Sequence, residues 1–476
     1  MEYNLKNSWK FIFKSLHSFF VNYSIVIVAI LAFCKLGYKY IDLSSRDIVF
    51  MDFWRNIVTL IPPVMEDDFN LQLLWSSNLG QRNPLQLALI ALNIKYFDLN
   101  CLWEEYAGII VLGLSSFLLF LIWKSIIQTT GNCKSGIILQ CSYLPIIAVV
   151  FNLNQWEILS LQFSFAFMIR VLCYILFYVL FDYSIRRKYI KLYKHFGLCG
   201  FFAGIMVCSL SQLYFTGLLI VAIIVLMIAY FYEGYSPKEL MLSFLCFIAP
   251  VLLSLLLYFY NLPMGEAGSS FDEFVLLLKN GQFFIGVLYM LLAGLFPQTI
   301  LQTMSVYTIL VLGIITICIV LYAIYSFFKF NMHQVTYLPA FLVGYGLINI
   351  PIIMYGRASK FDLFYLTSSR YVCETNLIWI GCLLIFGYSF FNTKTKRKKI
   401  LLKFCMIIII VAVLKSDYTE MVIAPHRGAY KDSLLSQMNE EVEMNEDTIK
   451  LFQSSPELVR SGIELMKQYD LNIYDE

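Results

Sequence analysis

Residues 46–84 read RDIVFMDFWRNIVTLIPPVMEDDFNLQLLWSSNLGQRNP, a stretch that lies between two long apolar runs and is too polar to cross a bilayer itself. It gathers Asp52, Glu66, Asp67 and Asp68 with Arg55, Arg82, Trp54 and Trp75, directly after the first expected membrane crossing. Carboxylates beside basic groups at a membrane surface suit chemistry on a lipid-linked phosphate.

The runs on either side set the fold class. A membrane helix needs about 20 apolar residues, because a rise of roughly 1.5 Å per residue must cover a hydrocarbon core near 30 Å. By that rule the chain holds about eleven crossings. They run from Phe19 to Tyr38, Tyr106 to Trp123, Ile137 to Phe151, Leu161 to Phe181, Phe196 to Ser209, Phe215 to Tyr232, Leu240 to Tyr260, Met304 to Phe328, Tyr337 to Met354, Asn376 to Phe391 and Ile400 to Leu414. The expected class is an all-α integral membrane protein, with a structured first loop over 39–105, a transmembrane domain over 1–414 and a small helical tail over 415–476. Composition agrees: of 476 residues 59% are hydrophobic and 14% charged, with a mean hydropathy of +0.71. Soluble domains average well below this. A net charge of +3 is too mild to point to a nucleic-acid partner.

Lys6, Lys10 and Lys14 precede the first apolar run, which exceeds the length of a signal-peptide core and is followed by no small-x-small cleavage site, so it reads as a retained helix. Lysine and arginine in short loops then set the orientation. The N-terminal lysines, Lys124, Lys134, the cluster from Arg186 to His195, Lys238, Lys329 and the run from Lys394 to Lys399 share one side, expected to be cytoplasmic. The opening stretch, NLNQWEILSLQ from Asn152, the 261–274 loop, YGRASKFDLFYLTSSRY and the acidic tail fall on the other. Phe283 to Phe296 is short and broken by Pro297, and reads as a re-entrant or interfacial segment. The tail suggests two short helices, the second opened by Ser455 with Pro456 in its first turn.

The twelve cysteines lie mostly in apolar spans without a CxxC pair, and the four histidines are far apart, so no His/Cys zinc site is visible. A divalent cation such as Mg2+ or Mn2+ held by carboxylates stays open, with Asp52 and Glu66 as its candidate ligands. Asp52, in MDFWR, has two readings: general base toward an acceptor hydroxyl, or an interfacial helix cap beside the anchor Trp54. Glu66, Asp67 and Asp68 read as a solvated N-terminal helix turn before LQLLW, while one of them could share acid and base roles with Asp52. Arg82, Arg357 and Arg370 fall at outer helix ends, where a guanidinium fork suits a phosphate oxygen or merely anchors headgroups. Arg170 lies in the middle of a crossing, where a charge lines a pocket or pairs with a neighbouring helix. Trp156, Glu157 and Gln162 stand at the mouth of the same helix, as substrate contacts or as an interfacial belt.

Taken together, MDFWR, SSNLGQRNP, NQWEILSLQF, YGRASK, SSRY and the terminal SSPELVRSGIELMKQYDLNIY resemble a family of bacterial multi-spanning proteins similar to GT-C glycosyltransferases, which take sugar from a polyprenyl-phosphate donor on the outer face. The resemblance implies a catalytic aspartate at Asp52, basic positions at Arg82, Arg357 and Arg370, and Tyr371 beside them. Where similar sequences carry Glu-His before the arginine of the first loop, this chain has Gly80 and Gln81, so an acid or imidazole role there is lost or moved. The implied activity is inverting sugar transfer to an extracytoplasmic glycan or lipid. Two rivals are a transporter of lipid-linked saccharide, which would place ionisable groups at the midplane on broken helices and show internal repeats, and a glycan polymerase or ligase, whose large outer loop would come late in the chain.

Overall fold

The computed structural model describes residues 2–77, 81–131, 135–186, 192–210, 214–262, 271–357, 363–439 and 449–474. Among them the chain is helical, with no strand. Ten helices are long and apolar enough to cross a bilayer. In α1 (Glu2–Ser44) the apolar part is Asn22–Ser44; the others begin with α5 (Cys101–Thr130), the run Gly136–Leu159 that α6 (Gly136–Val150) opens, α8 (Ser164–Arg186), α9 (Leu192–Leu210) and α10 (Tyr214–Glu233). The set is completed by α11 (Pro237–Phe259), α15 (Val306–Lys329), α16 (Leu338–Arg357) and α17 (Val372–Asn392). The eleventh expected crossing, Ile400 to Leu414, lies inside α18 (Lys396–Asn439) but is not among the ten, because Lys403, Lys415 and Asp417 interrupt its apolar run.

Local chemistry sets several ends. Asn100 caps α5 by accepting from the Trp103 N–H at 2.9 Å, and Gly131 stops it at φ 64°. Ser236, Pro237 and Glu239 open α11 with a capping box. Helix α17 is enclosed on every side, with Val372 to Ser389 all buried, which makes it the central post of the bundle. Helices α9 and α11 pack closely because a Cβ on Gly200 would meet the Phe247 carbonyl at 2.2 Å. Of residues 283–296, those up to Ala293 belong to α13 (Gln282–Ala293), which meets α12 (Phe271–Lys279) at 91°, the geometry of a broken span or a re-entrant loop.

A second, separate core joins the first loop to the C-terminal segment. Helix α18 runs through residue 414 without a break, and its far end carries Leu434 and Met438 into a cluster with the first loop. That loop supplies α2 (Phe53–Met65), α3 (Leu71–Leu74) and α4 (Pro84–Tyr96). On α2, Phe53, Trp54, Ile57, Leu60, Ile61 and Val64 are buried at helical spacing. They pack against Phe452 and against Val459, Ile463 and Met466 of α19 (Pro456–Gln468), so the two ends of the chain build one cap. The Ser455 cap and Pro456 of α19 are as expected, while most of the first tail helix falls in 440–448, outside the described residues.

The glutamate and aspartates after Pro62 and Pro63 do not start a helix. Both prolines continue α2, whose Pro62 carbonyl accepts the Glu66 N–H at 2.9 Å, and Asp67 turns the chain at φ 58°. Three side chains of α18 hold segment 153–160 between cap and bundle. Asp417 accepts the Leu153 N–H at 2.7 Å, Arg427 lies 4.0 Å over the Trp156 ring, and Lys431 donates to the Ser160 carbonyl at 2.8 Å.

Candidate functional site

A cavity of about 590 Å3 sits where the cap meets the bundle. Such a volume is in the range of small-ligand sites. Asp52, Glu157, Arg357, Arg370 and Tyr371 line it together, although Asp52 and Arg370 are more than three hundred residues apart. Its walls are of two kinds. Leu161, Phe163, Phe167, Ile352 and Ile353 supply apolar surface, while Asn56, Ser76, Gln81, Asn83, Gln86 and Gln453 supply uncharged polar groups.

Asp52 stands at the N-cap of α2 but its carboxylate makes no capping bond, and it is exposed. Its neighbour Met51 takes a left-handed φ of 57°, which aims the chain from α1 into α2 at this point. Arg357 is the last residue of α16 and half-buried, and among the described residues it has no ion pair or hydrogen bond. A carboxylate and a guanidinium with no hydrogen bond or ion pair among the described residues therefore open onto one cavity.

Glu157 is spent on positioning. Its carboxylate pairs with the Arg370 guanidinium and accepts from Ser368 Oγ at 2.9 Å and Ser369 Oγ at 3.2 Å. The Glu157 N–H in turn donates to Ser369 Oγ at 3.1 Å. The short turn before α17 is thus tied to the segment that α18 holds. Arg370 keeps 31% of its side chain exposed, against 8% for Glu157, so it is the cation of the pair that faces outward. Its Nε has no hydrogen-bond partner among the described residues, and its guanidinium lies 5.9 Å from the Tyr365 ring.

Five sequence candidates lie elsewhere, each for a physical reason. Arg82 is buried, and its guanidinium donates to the carbonyls of Leu257 at 3.2 Å, Tyr258 at 2.6 Å and Tyr260 at 2.7 Å, closing the unsatisfied end of α11. It also lies 5.1 Å from the Trp75 ring and does not line the cavity, although Gln81 and Asn83 on either side do. Trp54 is a core residue, edge-on to Phe452 at 5.7 Å and packed where a Cβ on Gly462 would meet it at 2.6 Å. Gln162 is fully buried and donates to the Ile48 carbonyl, fastening the cap to the bundle. Arg170 forms a closed ion pair with Glu374 of α17 at 3.0 Å, with 4% and 2% of the two side chains exposed.

Glu66 ends α2 while Asp52 begins it, which puts them roughly 20 Å apart along 13 residues. Tyr469 donates to Glu66 at 2.8 Å. The two carboxylates therefore cannot share a divalent ion, and no group of three His, Cys, Asp or Glu side chains suited to a metal occurs among the described residues. Gly80 lies outside the described residues, whereas Gln81 lines the cavity.

Sequence reasoning passed over Asn56, Gln86, Tyr365 and Gln453. Asn56 was within reach, since it follows Asp52 by one helical turn and shares its face. Gln453 gave no local sign, because only the docking of the C-terminal segment brings it there. No protein-family model matches the chain, and no curated protein matches it significantly.

Proposed function

We propose that the protein is a membrane glycosyltransferase of GT-C type, moving a sugar from a polyprenyl-phosphate carrier to a glycan or lipid acceptor in cell-envelope polysaccharide biosynthesis. The observation that carries this reading is the shared cavity of Asp52, Arg357 and Arg370, with an apolar wall on the bundle side. The loop charge bias supports an extracytoplasmic position for that cavity.

In this mechanism the acceptor hydroxyl attacks the anomeric carbon opposite the phosphate. The new C–O bond forms as the bond from that carbon to the phosphate oxygen breaks, and the leaving oxygen takes the bonding pair. Asp52 accepts the hydroxyl proton, and configuration inverts. Arg357 and Arg370 stabilise the charge that builds on the polyprenyl phosphate, where a fixed fork in a partly dry site acts most strongly. Glu157 holds the Arg370 fork in place. The apolar wall of Phe163, Phe167, Ile352 and Ile353 takes the first isoprene units. No step is assigned to a metal ion, since Asp52 and Glu66 stand at opposite ends of α2.

The transporter reading draws on Arg170 and Glu374, an ionisable pair within the bundle. The cavities beside that pair hold only about 20 Å3 each, too little for a saccharide path. The transferase reading is tested with purified protein and a panel of radiolabelled polyprenyl-phosphate sugars. Release of free polyprenyl phosphate from one donor, dependent on Asp52, is expected; vesicle-to-vesicle movement of the intact donor without release would replace it with the transporter.

A further inference from the structure

The cavity wall opposite in character to the arginines is built of carboxamides. Gln81, Asn83, Gln86 and Gln453 all line it, and none of these four side chains has a hydrogen bond within the protein among the described residues. A carboxamide offers two donors and an acceptor on adjacent atoms, which matches a sugar hydroxyl that both gives and accepts a hydrogen bond. The two cations of the cavity come from the end of α16 and the turn before α17, whereas the amides come from 81–86 and the C-terminal segment. An acidic group placed among the amides would meet Asp52, while Arg82 of the same segment is held away from the cavity by the carbonyls at the end of α11.

The backbone of this wall is unusually constrained. Met51 and Gln453 both adopt left-handed conformations, with φ of 57° and 54°, which residues other than glycine rarely take. They are joined where the Met51 N–H donates to the Phe452 carbonyl at 3.0 Å, and Phe452 is fixed edge-on to Trp54. Two such positions meeting at one cavity, one beside Asp52 and one beneath an amide, mark a geometry that the surrounding packing over-determines.

We infer that the amide wall is the subsite for a neutral, hydroxyl-rich acceptor sugar, and that the C-terminal segment completes it by presenting Gln453 beside Asp52. The inference rests on the transferase reading and deepens it: donor phosphate on the arginines, acceptor sugar on the amides.

The test is equilibrium binding to the full chain in nanodiscs with three probes. These are a panel of fluorescently tagged neutral disaccharides, the matching uronates, and geranylgeranyl phosphate as a donor mimic. At least one neutral disaccharide should bind, with its uronate about tenfold weaker. Gln453→Ala and Gln86→Ala should each weaken the neutral disaccharide by roughly fivefold to tenfold, the scale of one lost hydrogen bond, and leave geranylgeranyl phosphate unchanged. Gln86 lies on α4, away from the C-terminal backbone, so its variant reports even where the Gln453 variant unfolds the cap. Absence of saturable disaccharide binding, uronates that bind as tightly, or a Gln86 variant equal to the parent would each overturn the subsite. Disaccharide binding that follows the amides, in a protein that neither binds geranylgeranyl phosphate nor releases polyprenyl phosphate, would overturn the transferase reading and leave the subsite standing.

Discussion

Replacing Asp52 by asparagine separates catalysis from folding. The carboxylate makes no hydrogen bond, forms no ion pair among the described residues and leaves the N-cap of α2 without a side-chain bond. Its removal costs the fold only the interaction of a charge with a helix end, at most about 1 kcal/mol. A positioned general base contributes roughly 10²–10⁴ in rate, which at about 1.4 kcal/mol per decade is about 3–5 kcal/mol on the barrier. Asp52→Asn should therefore melt close to the parent and lose at least about a hundredfold in single-turnover release of polyprenyl phosphate. Tryptophan fluorescence reads the first quantity, since Trp54 sits in the cap core two residues from the change, and radiolabelled donor reads the second. A variant that melts like the parent and turns over within about threefold of it would remove Asp52 from the chemistry.

Two further outcomes follow from the positions of the charged groups. Lysine at position 370 keeps the charge but loses the fork, so Arg370→Lys should slow transfer by roughly tenfold or more with little loss of stability. Lysine at position 82 cannot reach three carbonyls at once, so Arg82→Lys should lower stability by about 1–3 kcal/mol and leave donor affinity intact; equal effects of both variants on donor affinity would refute the division of roles. Asp47 accepts from the Cys101 N–H at 2.7 Å and Asn472 Nδ2 at 2.8 Å, and burial raises its pKa above the ordinary 3.8. Because the folded state holds this proton more tightly, its contribution is full below pH 3.8 and is lost as pH rises through the raised value. The melting temperature of the cap should fall over that window and Asp47→Asn should flatten the slope; a parent with no slope there would refute it.

The membrane-spanning helices were legible in the residues themselves. Apolar length is a one-dimensional property, set against a bilayer of nearly constant thickness, and helix caps such as Ser455 with Pro456 act within one turn. Sequence also marked Asp52, Glu157, Arg357, Arg370 and Tyr371, which tertiary structure brings to one cavity. It had no means to separate them from Arg82, Trp54, Gln162, Glu66 and Arg170, because a charged, amide or indole side chain reads alike in sequence whether it meets a ligand, a helix end or a buried partner. That choice was made by packing: α19 against α2 placed Gln453 beside Met51, the end of α11 consumed Arg82, and α17 consumed Arg170 through Glu374. Those contacts join segments far apart in the chain, and their geometry exists only once the cap and the bundle have each formed a core.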